Sequence, residues 1–161
     1  MCASMSQSSR SLLVIPALLV VAVFGVVAYK VYPILNPTIV ATAEPASHCD
    51  LHRGPCTSRF EGGEEVTFSI QPNPIKVMEP LILEVVTSHD SPWSVEVDFQ
   101  GVDMNMGFNR PELKKEAGGR FTGETMLPTC IRGQMVWEAN VLIRTADGYH
   151  SAPYRFTTVR N

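Results

Sequence analysis

Residues 11–29, SLLVIPALLVVAVFGVVAY, contain no charged side chain, and this run constrains the chain more than any other feature. At a rise of ~1.5 Å per residue, roughly 20 residues cross a hydrocarbon core ~30 Å thick. Val31, Tyr32, Ile34 and Leu35 extend the run, so residues 11–35 are predicted to form one membrane-spanning helix. Pro16 falls in the first turns, where a missing N–H is tolerated. Tyr29 and Tyr32 fall where interfacial aromatics gather. Ala41-Thr42-Ala43 has the small-x-small pattern of a signal-peptide cleavage site, but it begins twelve residues beyond Tyr29. Cleavage ordinarily follows a shorter apolar region closely, so the expectation is an uncleaved anchor.

Charge separates the chain into two parts. Of 13 Lys/Arg, only Arg10 and Lys30 lie in the first 35 residues, and none of the 16 Asp/Glu do. The remaining 126 residues carry 11 basic and 16 acidic side chains, a net charge of −5. An acidic domain lacks the basic footprint that phosphate backbones demand, which argues against nucleic acid as a partner. About 110 residues beyond the anchor make one domain and exclude a two-domain enzyme. Arg10 and Lys30 nearly balance under the positive-inside rule, and the distal cysteines tip the domain toward an oxidising compartment. Residues 1–10 are then a cytoplasmic tail, 36–47 a proline-stiffened linker, and 48–161 an ectodomain.

That domain reads as short strands. Trp93, Val95, Val97 and Phe99 alternate with Ser94, Glu96, Asp98 and Gln100, the period of a half-buried strand. Met135 to Ile143 and Val66 to Ile70 alternate likewise. Leu81–Thr87 is more continuously apolar, and Arg120–Met126 and Tyr154–Val159 bring the number to six. Residues 110–116 suit a seventh strand or one helical turn, with Pro111 arguing against a central strand. No segment outside the anchor keeps a helical apolar period. The predicted fold class is all-β, an immunoglobulin-like antiparallel β-sandwich behind a single N-terminal transmembrane helix.

Two constellations could carry chemistry. Cys49 and Cys56 bound CDLHRGPC, with His48 before it, His52 inside it and Gly54-Pro55 as a turn signal. With Cys130, the domain holds three cysteines, so any one disulfide leaves an odd thiol. That thiol must be buried, metal-bound or used in redox exchange. The second constellation is Met104-Asn105-Met106-Gly107. In an extended segment, side chains two apart share a side, and thioether sulfur is a soft donor that favours Cu(I). Met135, at the start of a later strand, offers a third sulfur. The plainer reading of methionine is core filler, but glycines at 101 and 107 place this pair in a loop, where function concentrates. His89 and His150 lie in turn-like sequence and read as solvated. No G-x-S-x-G, H-E-x-x-H, P-loop or Rossmann glycine pattern occurs, so no enzyme is expected.

Residues 101–145 carry M-x-M-G, then Leu113, G-x-F-x-G, Leu127-Pro128 and G-x-M-x-W ahead of an apolar strand. This order resembles the YtkA/FixH-like group of bacterial extracytoplasmic immunoglobulin-like domains. The resemblance implies a small domain on the bacterial inner membrane, facing the periplasm, that handles copper and assists assembly of a respiratory oxidase or another copper protein. It assigns Met104 and Met106 to the methionine turn, Phe121 to the usual Tyr position of the hairpin and Trp137 to the strand-entry Trp. CDLHRGPC and Cys130 lie outside the group's general pattern. The expected cofactor or cargo is copper as Cu(I), with Met104 and Met106 first among candidate ligands and Cys130, Met135, Cys49, Cys56 and His48 behind them. The rival expectations are an accessory subunit of a membrane complex with purely structural cysteines, and a thiol-disulfide partner.

Overall fold

The computed structural model describes residues 7–46, 48–129 and 133–159. Two compact units divide after Thr38. The first contains the helix α1, Gln7–Leu35. Its window Val14–Pro33 has a mean hydropathy of 2.4, so it is long and apolar enough to cross a membrane. It begins four residues before the charge-free run, and both Pro16 and Pro33 lie inside it.

The second unit is β-rich. Its strands are β1 (Ile39–Thr42), β2 (Cys56–Arg59), β3 (Glu65–Gln71), β4 (Pro80–Thr87), β5 (Ser94–Gly101), β6 (Glu112–Lys115), β7 (Arg120–Met126), β8 (Gln134–Arg144) and β9 (Tyr149–Val159). They form one continuous mixed sheet in the order β1-β9-β8-β5-β6-β7-β4-β3-β2, curled as a half-barrel. β1 and β9 pair in parallel, and the other neighbours are antiparallel.

Alternation explains most of the core. Val66, Phe68 and Ile70 of β3, Val95, Val97 and Phe99 of β5, and Trp137, Ala139, Val141 and Ile143 of β8 are all buried. Each large side chain removed from water contributes about 1.5–3 kcal/mol. The curl brings β3 and β9 together: the Phe68 and Tyr154 rings lie 5.3 Å apart, and the Tyr154 hydroxyl donates to the Val66 carbonyl at 2.7 Å. Burial pushes the Tyr154 hydroxyl pKa up. Trp137 Nε1 donates to Thr158 Oγ1 at 2.9 Å, which satisfies the one polar atom of a large buried ring.

Four expectations need correction. The segment read as a linker contains β1, whose Ile39 and Thr42 pair with Tyr149 and Ser151 of β9, so the domain starts at Ile39 rather than residue 48. Trp93 precedes β5 and is exposed, stacked against the Arg144 guanidinium at 5.6 Å. Asp98 sits on the polar register of β5 but is buried. Residues 112–115 form β6 in the middle of the sheet, joining Val95 of β5 through Leu113 and Thr122 of β7 through Lys114. Pro111 is tolerated because it stands just ahead of β6, where its carbonyl accepts from Val97 N at 3.1 Å. Its missing N–H removes nothing from that contact.

Candidate metal centre

The methionine turn hangs from the end of β5. Gly101 pairs with Trp137 across the β5–β8 ladder, and Val102 N continues the ladder to Val136 O at 3.0 Å. The chain then bends through residues 102–104. Asn105 Oδ1 accepts from Gly107 N at 2.8 Å, closing a side-chain turn that ends on the positive φ of Gly107, +85°. Beyond it, Asn109 O accepts from Phe99 N at 2.9 Å, which returns the chain to β5.

Because β8 runs antiparallel beside β5, its second residue, Met135, faces this turn. A Cβ placed on Gly101 would overlap both the Met135 Cε methyl and the Met104 carbonyl oxygen, and would press on Met106 Cγ at 3.1 Å. Met106, Met135 and the Met104 backbone therefore converge on one bare backbone position. Met135 is buried, and Met104 and Met106 are half-buried against the core. The Met-x-Met turn thus stands between two strands, where the sequence placed it, and Met135 lies beside Met106.

The remaining candidates fare differently. Cys49 and Cys56 form a disulfide with a Cα–Cα distance of 5.7 Å, so neither offers a thiolate in this form and both leave the ligand set. His48 is exposed, in left-handed backbone with φ 65°, and among the described residues nothing links it to the methionines. Cys130 lies outside the described residues. His52 serves structure: its Nδ1 accepts from Ile75 N at 3.1 Å, which leaves Nε2 as the donor to Thr157 O at 2.7 Å. The Cys49→Ser/Cys56→Ser double variant is expected to lose about 2–3 kcal/mol, the loop-closure value for a short ring. Denaturant melts of the full chain in detergent measure this loss.

Sequence reasoning missed two groups. Asp98 is bound by Arg110 Nη2 at 3.0 Å and by Gln100 Nε2 at 2.7 Å, with both charged side chains 8% exposed. Only the proximity of Arg110 to Pro111, at a point where the chain rejoins the sheet, hints at it. His89 and His150 face each other with ring centroids 4.8 Å apart, although 61 residues separate them in the chain. No local pattern could have paired them.

Among the described residues, no group of three His, Cys, Asp or Glu side chains is placed to hold a metal ion. What the methionine turn offers instead is uncharged thioether sulfur from half-buried side chains. Polarisable neutral donors suit Cu(I) and leave hard cations in water. Val102, Phe108 and Met126 are exposed; Phe108 belongs to the same turn, and Met126 O accepts from Asn109 Nδ2 at 3.1 Å. Scans of the chain against protein-family models, curated proteins and solved structures return no match.

Proposed function

We propose that this chain is a membrane-anchored, periplasm-facing, non-catalytic domain that binds Cu(I) and passes it to a respiratory oxidase or another copper protein. On this reading α1 is a single-pass anchor of the bacterial inner membrane. The two arms of the curled sheet are the layers of an immunoglobulin-like sandwich, and residues 101–145 carry the likeness to the YtkA/FixH-like group. The observation that supports the copper reading is the meeting of Met106 and Met135 over Gly101, beside Met104. Thioethers hold copper without adding charge, so a recipient site with thiolates or imidazoles can take the ion by ligand exchange. The exposed Val102 and Phe108 would meet that recipient.

The test is an anaerobic Cu(I) titration of the full chain in detergent against a competing chelator. The expected result is one equivalent bound, with affinity reduced at least roughly tenfold (about 1.4 kcal/mol) in Met104→Leu/Met106→Leu. Equal affinity would remove these methionines from the site, and no binding by either protein would end the copper reading. In that second case the exposed apolar turn favours an accessory subunit that docks on a membrane complex.

A further inference from the structure

Away from the methionine turn, three rings meet where loops of the sheet converge. Phe60 follows β2, His89 follows β4, and His150 is the second residue of β9. The Phe60 ring lies 5.1 Å from the His89 ring and 5.6 Å from the His150 ring, and the two imidazoles are 4.8 Å apart. All three contacts are edge-on. Taken as packing alone, this is an apolar stack in which imidazole stands in for benzene.

The polar atoms are unexplained by packing. Nε2 of His89 and Nε2 of His150 are each buried with no hydrogen-bond partner. Leaving a buried nitrogen unsatisfied is costly, and the two rings that carry these nitrogens face each other. The Asp147 carboxylate is 3.4 Å from His150 Nε2, an ion pair when that ring is protonated. Burial, and then the facing His150, hold the His89 pKa below its ordinary value of 6.5, against the opposing pull of Glu64, Asp147 and Asp90. The three carboxylates add negative potential that favours a cation.

We propose that His89 and His150 form a binding site for a divalent transition-metal cation of the Zn²⁺ class, with Asp147 as the neighbouring carboxylate. Imidazole nitrogen is the donor such borderline ions prefer. The described residues group no three such donors, so the fold supplies two nitrogens, and water completes the coordination. A site of this kind binds reversibly rather than stapling the fold. It is independent of the copper reading, because thioethers compete poorly for Zn²⁺.

The experiment uses the untagged full chain in detergent at neutral pH, with Zn²⁺ alone as the probe. Calorimetry should show one equivalent bound. Affinity should fall at least tenfold in His89→Asn and in His150→Asn, and stay unchanged in Met106→Leu. Because either histidine variant could unfold, long-range ¹H–¹⁵N spectra of the wild-type imidazoles provide a second readout: Zn²⁺ should shift Nε2 of His89 and His150. No binding, undiminished affinity in both histidine variants, or shifts confined to His48 would overturn the proposal.

Discussion

Arg110→Met is expected to destabilise the domain by about 3–5 kcal/mol, the usual cost of orphaning one member of a buried ion pair. Among the described residues, Asp98 would keep only the Gln100 amide at 2.7 Å, with its carboxylate still out of water. The position magnifies the effect. Asn109 and Pro111, on either side of Arg110, accept from Phe99 N and Val97 N of β5 at 2.9 and 3.1 Å. These bonds seat the chain for β6, the strand that joins the two arms of the sheet. Glu96 lies on the same strand, and burial pushes its pKa up while Arg110 pulls it down, so losing the guanidinium makes that carboxylate easier to protonate as well. The Asp98→Leu/Arg110→Met double variant should recover most of the loss, since apolar replacement of a whole buried pair is often neutral or stabilising. A double-mutant cycle from denaturant melts measures both effects. A single variant within about 0.5 kcal/mol of the parent, the range of ordinary surface substitutions, would show that this contact does not hold the strand.

Gly101→Ala is expected to cost about 1–3 kcal/mol of stability, the range for overpacking a filled site, and, on the proposed copper role, to remove most of the Cu(I) binding. The new methyl would meet a flexible group, Met135 Cε, and a rigid one, the Met104 carbonyl. Side-chain rotation relieves only the first. Relieving the second requires the turn itself to move, which carries Met104 and Met106 away from Met135. Gly107→Ala is a useful contrast. It strains a positive φ of +85° but meets no atom within 4 Å, so it should cost stability with a smaller loss of copper affinity. Chelator competition and thermal melts on both variants separate the two effects. Parental affinity in Gly101→Ala would mean that the convergence over Gly101 is unrelated to metal.

Period-2 alternation was enough to locate β3, β5 and β8, because each buries one face and keeps its register through that burial, while a continuous apolar run marked β4, the Gly118-Gly119 turn preceded β7, and Tyr154–Val159 marked part of β9. It failed where local pattern carries no such burden. β1 and β2 are four-residue edge strands, one in proline-rich sequence and the other, Cys56–Arg59, with no apolar run. Both owe their conformation to the neighbour they pair with. β6 escaped confident placement because Pro111 looks like a strand breaker until the partner of its carbonyl is known. The Met-x-Met turn was legible from its residue types and glycine flanks. Its meeting with Met135 depends on β5–β8 register, which only the fold supplies. The same holds for the histidine pair, assembled from segments far apart in sequence.

X-ray absorption at the copper edge, on full chain loaded anaerobically with one equivalent of Cu(I), is the most direct test of thioether ligation. The expected spectrum has sulfur as the dominant first-shell scatterer, and that sulfur signal falls in Met106→Leu/Met135→Leu while the disulfide Cys49–Cys56 stays intact. A first shell of nitrogen and oxygen alone, or a sulfur signal untouched by the two substitutions, would contradict it.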